Sequence, residues 1–479
     1  RDYVRTGETN LGNLITNEVH NMEVTKGLHE SNITDVSSFE WIKQLRYYWE
    51  NGNCQIKSIQ TSFPYGYEYM GNQEILVITP LTDKCYLTLM GALKMNMGGA
   101  PAGPAGTGKT ESTKDLAKAI AKHCIVYNCS EQIDFNIIAK FFKGLACCGS
   151  WICFDEFNRI NVEVLSVIAQ QLNQLFGAKE KGEKEIIFEK TQIRIMPTFC
   201  VFITMNPDYE GRSALPDNLQ ALFRPMAMMV PDYKLISEVY LYSSGYFMAK
   251  DMAKKIVSTF KLSSEQLSSQ SHYDFGMRSV KSVLYAAKKL KRNGQDIPED
   301  KLLLRALEDV NVPKFLKDDI PLFKNIIKDL FPTTERPQTD LGNLINRIKE
   351  NCIETNLRPE EPFVQKVIQL YDTIQVRHGL MIVGPSGGGK TKNWTILMKS
   401  ITDLADETKF FPTEATVINP KSIRKEQLYC ELDKNTMEWS NGIIPLNIVN
   451  INQDTTGSKK YWIILDGPVD TLWIEDMNS

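Results

Sequence analysis

Eight consecutive residues, Gly103-Pro104-Ala105-Gly106-Thr107-Gly108-Lys109-Thr110, satisfy every fixed position of the phosphate-binding pattern G-x-x-x-x-G-K-[ST]. Glycines let backbone N–H groups converge on phosphate oxygens without side-chain clash. Lys109 reaches the β- and γ-phosphates, and Thr110 offers its hydroxyl to Mg²⁺. A helix opening near Glu111 adds the positive end of its dipole. The run Trp151-Ile152-Cys153-Phe154-Asp155-Glu156 is an apolar strand ending in two carboxylates. Asp155 is placed to hold Mg²⁺ directly or through its water, and Glu156 to orient and polarise an attacking water. A chance glycine loop and a surface acid pair are the bland alternatives; finding both motifs together in one chain weighs against them. A further run, Val201-Phe202-Ile203-Thr204, leads to Asn206. That amide suits a γ-phosphate or a lytic water, and equally a turn before Pro207.

The pattern recurs in Gly384-Pro385-Ser386-Gly387-Gly388-Gly389-Lys390-Thr391, after the expected strand Leu380-Met381-Ile382-Val383. Its acidic run, Trp462-Ile463-Ile464-Leu465-Asp466, is followed by Gly467 where the first has Glu156. Thr391 and Asp466 can hold Mg²⁺, but a glycine cannot activate water. Losing a general base costs roughly 10²–10⁴-fold. The second site is therefore expected to hold a nucleotide and hydrolyse it slowly or not at all. Asp470 and Glu475 lie close enough in sequence to be candidate substitutes.

These loops need strands behind them and helices after them. Cys124–Asn128, Trp151–Phe154 and Cys200–Thr204 read as strands; Glu111–Lys122, Phe135–Leu145 and Val162–Leu175 read as helices. Such alternation implies an α/β domain with a largely parallel sheet. Residues 184–197 look like an inserted hairpin, and helical periodicity takes over after about residue 232. Phe39, Trp41, Ile42, Leu45 and Tyr48 fall at helical spacing, and Asn51-Gly52 marks a hairpin turn. Residues 331–357 read as a Pro- and charge-rich connector, after which the α/β pattern restarts. The expected division is 1–60 lead-in, 61–232 first α/β core, 233–335 helical lid, and 336–479 connector with a second α/β core.

Composition limits the function classes. With 42% hydrophobic and 24% charged residues, the 479-residue chain has material for sizeable cores. A net charge of −3 leaves no basic excess for nucleic acid. The lysines between Lys179 and Lys190 alternate with glutamates and read as a solvated insert. Ten cysteines without a CxxC pair, and five scattered histidines, point to no zinc or redox centre and suit a reducing compartment. No apolar run of 18 residues suggests a membrane span. The chain opens at Arg1 rather than methionine, which suggests a fragment of something longer.

The runs GPAGTGKTESTKDLAKAIAKHC, FFKGLACCGSWICFDEFNRI and FITMNPDYEGRSALPDNLQALFRPMAMMVPDY resemble the dynein heavy chain motor. VRHGLMIVGPSGGGKT and WIILDGPVDTLWIEDMN look like that motor's second AAA+ unit. The resemblance runs from about Val36 to the end, and the TKDLAKA wording looks more like axonemal dyneins than cytoplasmic ones, inner-arm types included. It implies tandem P-loop AAA+ modules within a six-module ring, ATP or ADP with Mg²⁺ as ligands, and a linker that changes shape with nucleotide state. Residues 1 to about 50 look like the end of that linker, and the 184–197 hairpin like an insert facing it. Ile78, Thr79 and Pro80 resemble the segment that packs on adenine, although the residues alone read equally as core. Asn206 resembles the sensor-one residue and Arg278 the sensor-two arginine, while Arg224 resembles the position that points into an adjacent module's site. Implied partners are the remaining modules of the same heavy chain, a microtubule reached through a stalk outside this segment, and intermediate and light chains bound through a tail it lacks; neither nucleic acid nor membrane is implied. The implied location is cytoplasm and cytoskeleton, in a cilium or flagellum axoneme. Two readings compete: a midasin-like AAA+ remodelling ATPase, and a nucleotide-gated scaffold in which neither site turns over.

Overall fold

The computed structural model describes residues 2–71, 73–130, 133, 135–206, 215–294, 296–334, 341–405, 410–432, 436, 438–474 and 477. The chain forms two compact units, one from Arg1–Glu265 with Asp274–Leu284, the other from Gln266–Tyr273 with Tyr285–Asn478.

The first unit opens with helix α1 (Asp2–Glu30) and a single turn, α2 (Phe39–Ile42). An antiparallel sheet follows: β1 (Arg46–Glu50), β2 (Asn53–Ser58) and β3 (Thr61–Pro64). Asn51 and Gly52 both take positive φ, 53° and 74°, as a tight two-residue hairpin requires. The helix expected through Tyr48 therefore stops at Ile42. The Arg46–Glu50 stretch alternates and is rich in aromatics, and cross-strand pairing such as Tyr47 with Ile56 wins over local helical spacing.

Helix α3 (Pro80–Lys94) leads into β4 (Gly98–Ala102), α4 (Lys109–Ile120), β5 (Cys124–Asn128), α5 (Phe135–Cys148), β6 (Trp151–Asp155) and α6 (Val162–Lys181). The inserted hairpin is β7 (Glu185–Phe188) with β8 (Thr191–Arg194), turning at Glu189 and Lys190, both at positive φ. After it come β9 (Cys200–Ile203), α7 (Asp217–Gln220) and β10 (Phe223–Ala227), then helices α8 (Tyr233–Ser243), α9 (Ala249–Gln266) and α10 (Met277–Asn293).

Five strands form one parallel sheet in the order β10-β4-β9-β6-β5. Strands β6 and β9 are apolar at every core position because helices cover both faces. On one face Phe154 packs edge-on to Phe142, centroids 5.9 Å apart; on the other Trp151 meets Phe202 at 5.0 Å, beside Leu89 and Leu116. Strand β4 has no apolar rhythm, yet it is an interior strand, between β10 and β9. A Cβ on Gly98 would come within 2.4 Å of the Phe223 ring, and one on Gly99 equally close to Leu89. Its glycines are what let the neighbours close over it.

In the second unit α11 (Glu299–Asn311) and α12 (Asp319–Leu330) precede α13 (Gly342–Glu354), α14 (Glu361–Val376) and α15 (Lys390–Asp403). Leu344, Ile348, Val364, Val367, Ile396 and Leu397 make the common core of α13, α14 and α15. Much of the stretch read as connector is thus the amphipathic helix α13. Strand β11 (Thr413–Ile418), α16 (Lys425–Leu428), the ribbon β12 (Cys430–Leu432) with β13 (Trp439–Asn441), α17 (Ile443–Gln453), β14 (Lys460–Leu465) and the turn α18 (Thr471–Ile474) complete it. Strands β11 and β14 pair in parallel, as β5 and β6 do.

Leu380–Val383, expected as a strand, joins no sheet; Met381 is 68% exposed and Val383 83%. In the first sheet the strand feeding the glycine loop sits between β9 and β10. Among the described residues the second unit has no counterpart of either, so this segment has no neighbour to bond.

Candidate nucleotide sites

Loop 103–108 joins β4 to α4 at the end of the sheet where the carboxylates emerge. Gly106 and Gly108 take φ of 76° and 83°, a left-handed backbone that glycine adopts without strain. A Cβ on Gly103 would lie 2.1 Å from the Met228 carbonyl oxygen, so only glycine fits at the loop's entry. The Lys109 ammonium donates to the carbonyls of Gly103 and Pro104, both at 2.7 Å, and so spans the arch. Pro104, Ala105 and Thr107 complete it, the Thr107 hydroxyl closing onto Pro104 O at 3.0 Å.

Thr110 Oγ1 donates to Asp155 Oδ1 at 2.7 Å. The Thr204 hydroxyl donates to the same carboxylate oxygen and accepts from the Glu156 N–H at 3.0 Å. Glu156 sits in the left-handed region, φ 54° and ψ 43°, which is rare for a residue with a Cβ. Thr204 holds that kink, together with the Phe157 N–H on Thr204 O at 3.0 Å. The Glu156 carboxylate pairs with Arg159 at 3.3 Å.

Asn206 is buried just past β9. Met205 bridges to Ala102, and its carbonyl accepts from the Gly103 N–H at 3.2 Å, so the tip of β9 lies against the loop's entry. Asn158 Nδ2 donates to Asn206 O at 3.0 Å, while Asn158 Oδ1 is buried without a partner among the described residues. Burial also pushes the thiols of Cys129 and Cys153 well up, keeping these neighbours of the carboxylates neutral.

Arg278 stands exposed in the first turn of α10, and a Cβ on Gly106 would lie 4.0 Å from Met277 N, so that helix start abuts the loop. Glu111 pairs with Lys114 at 3.1 Å. Ile78 packs on the Leu89–Leu116 core, Thr79 is the buried N-cap of α3, and Pro80 is its exposed first residue. Arg224 lies exposed on β10.

The second loop copies the first. Gly387 and Gly389 take φ of 77° and 81°, and Lys390 Nζ donates to the carbonyls of Gly384 and Pro385, both at 2.8 Å. Ser386 and Gly388 complete the arch, with the Gly388 N–H on Pro385 O at 3.2 Å. The acidic end differs. No hydrogen bond joins Thr391 to Asp466, whose N–H bonds Ile418 O at 2.9 Å. A Cβ on Gly467 would press on Asn419 Oδ1 and Pro420 Cδ at 3.2 Å. Asp470 is paired with Lys421 at 2.9 Å, and Glu475 lies outside the described residues.

The residues that sequence reasoning passed over are Thr204, Arg159 and Asn158. Thr204 precedes Asn206 by two positions, and Asn158 and Arg159 follow the carboxylate pair, so each was legible as a polar residue beside a motif but not as a contact. The donor set fits a magnesium nucleotide: hydroxyl and carboxylate converge beside an arch of backbone N–H groups, with an ammonium across it. Among the described residues no cluster of His, Cys, Asp or Glu offers a competing metal site, and no helix is long and apolar enough to cross a membrane.

A parallel sheet carrying this loop, with the Thr110-bonded Asp155 carboxylate and a kinked glutamate on the next strand but one, defines a P-loop ATPase module of the AAA+ kind. The chain belongs to the dynein motor-region family: the description "Hydrolytic ATP binding site of dynein motor region" matches residues 65–391. It is 53% identical over 474 residues to dynein axonemal heavy chain 1 of Homo sapiens, covering 98% of this chain and 11% of that protein. It is 53% identical over 472 residues to human dynein axonemal heavy chain 6 (97% of this chain, 11% of that protein) and 52% over 471 to human heavy chain 3 (98% and 11%). The chain thus spans about a tenth of the length of these relatives. Family membership decides against the midasin-like reading.

Proposed function

We propose that the first site hydrolyses ATP with Mg²⁺ and that the second holds a nucleotide with little or no turnover. The observation that carries this reading is the asymmetry after the acidic strands: a kinked glutamate follows Asp155, and a tightly hemmed glycine follows Asp466. In the first site Thr110 and Asp155 hold the metal, Lys109 and the loop N–H groups hold phosphate, and Glu156 accepts a proton from the attacking water. Bound Mg²⁺ would neutralise phosphate oxygens and favour departure of ADP. Asn206 positions that water or the γ-phosphate, Arg278 approaches from the start of α10, and Ile78, Thr79 and Pro80 flank the base.

Within an axonemal dynein heavy chain this cycle would move the linker and drive minus-end-directed motion along a microtubule, in a cilium or flagellum. The names of the relatives, all axonemal heavy chains, support that setting. Partners would be the other AAA+ modules of the heavy chain, the microtubule, and intermediate and light chains. We assign residues 61–232 to the first α/β core, 233–335 to its lid and 336–479 to the connector and second α/β core.

The test is Glu156→Gln in the full heavy chain. Steady-state hydrolysis should fall by about 10²–10⁴-fold while ATP binding persists. A variant as fast as wild type would favour another catalytic base; undetectable turnover in the wild type itself would favour the scaffold reading.

A further inference from the structure

We propose that Asp115 and Asn13 are positioning residues for the nucleotide base, holding the backbone at Gln73, Ile75 and Leu76 so that the Ile78–Pro80 wall just after it is fixed where adenine is selected. This rests on the first site binding ATP.

Between β3 and α3 the chain has no helix or strand among its described residues, so tethers must fix its path. It laps along α4. The Gly66 N–H bonds Ile120 O at 2.8 Å, Lys118 Nζ bonds Glu74 O at 3.2 Å, and the Leu76 N–H bonds Asp115 Oδ1 at 3.2 Å. The order of these contacts runs from the C-terminal end of α4 toward its first turn, where Lys109 and Thr110 stand. Ile78 and Thr79, which the proposed function sets beside the base, follow directly after Leu76 and Val77.

Asp115 is 6% exposed in the middle of α4, where an apolar residue would pack at lower cost. Burial raises its pKa, opposed by hydrogen bonds from the Tyr86 hydroxyl at 2.7 Å and the Leu76 N–H. One carboxylate therefore ties the segment, α3 and α4 at a single point. From the other side Asn13 of α1 takes both backbone groups of the segment. Its Nδ2 donates to Gln73 O at 2.8 Å and its Oδ1 accepts from the Ile75 N–H at 3.1 Å, as a neighbouring strand would. Two directional grips on Gln73, Ile75 and Leu76, just ahead of Ile78 and Thr79, set a wall's position; a greasy contact would leave it free to slide.

The experiment uses the full heavy chain with Tyr86→Phe and Asn13→Ala, neither of which removes a group from the phosphate or metal chemistry. KM and kcat are measured with ATP and with GTP, and equilibrium competition between the two nucleotides is measured alongside. We expect KM for ATP to rise about 3–10-fold with kcat within about twofold, as loss of one hydrogen bond would give. The preference for ATP over GTP should shrink by a similar factor in both assays, and Asp115→Asn, which can keep the Leu76 bond, should lose less than Asp115→Ala. An unchanged ATP-to-GTP preference, or a fall in kcat at unchanged KM, overturns the proposal. Glu156→Gln in the same preparations separates the two ideas. If it hydrolyses like wild type, the catalytic reading fails, while the competition data still decide the base wall.

Discussion

The Thr110 hydroxyl donates to Asp155 Oδ1 at 2.7 Å, joining the first turn of α4 to the end of β6. The oxygens expected to face the metal are therefore already in register, which removes much of the ordering cost of binding it. Thr110→Ala should raise the Mg²⁺ concentration needed for half-maximal ATP binding by about 10–100-fold, with Thr110→Ser close to wild type. Magnesium titration of nucleotide binding measures this, and an unchanged midpoint would place the metal elsewhere.

Thr204 uses one oxygen twice, donating to Asp155 and accepting from the Glu156 N–H. Thr204→Val keeps the shape and removes both bonds, taking that acceptor from the part-buried Glu156 N–H and leaving Asp155 Oδ1 with its Thr110 donor. About 1–3 kcal/mol should be lost, read as a lower unfolding midpoint, and kcat should fall roughly tenfold or more as the Glu156 kink relaxes. Thr204→Ser should recover most of both.

These contacts mark where sequence reading stops. The motif residues were legible because glycines, lysine and carboxylates at fixed spacing have few other uses together. Strands β6 and β9 were legible because burial on both faces leaves continuous apolar runs. Strand β4 was not, because Gly98 and Gly99 serve close approach rather than apolar packing. The helix of Asp2–Glu30 went unread for want of a clear apolar stripe. Residues 39–48 showed helical spacing that cross-strand pairing overrode. Thr204 and Asp115 each act through two hydrogen bonds to residues far along the chain, and no local pattern encodes those.

Placing a glutamate after Asp466 should not convert the second site. A side chain at position 467 must push against Asn419 and Pro420, so Gly467→Glu should lower stability by about 1–3 kcal/mol and leave the turnover of a Lys109→Ala chain undetectable. Restored hydrolysis would show that the missing acid alone silences this site.

Acid should loosen the brace at the start of the second unit. Asp319 accepts from the Ser268 hydroxyl at 2.6 Å, the Ser268 N–H at 3.1 Å and the Tyr273 hydroxyl at 2.7 Å. Those bonds, the Ser268 hydroxyl foremost, hold its pKa below the usual aspartate value. A depressed pKa contributes stability that is complete above the unfolded-state value of about 3.9 and is lost as pH falls through the folded one. Hydrogen exchange over residues 266–273 should therefore quicken in wild type below about pH 4, relative to its intrinsic rate. Asp319→Asn should exchange faster at neutral pH and respond less to acid.

The proposed division of labour between the two loops is tested most directly by the ATPase rate of the full heavy chain carrying Lys109→Ala or Lys390→Ala. Removing the ammonium that spans the first loop should cost at least about 10²-fold in steady-state hydrolysis, whereas removing its counterpart in the second should change the rate by less than about tenfold. Equal losses from both, or a larger loss from Lys390→Ala, would contradict the assignment of hydrolysis to the first site.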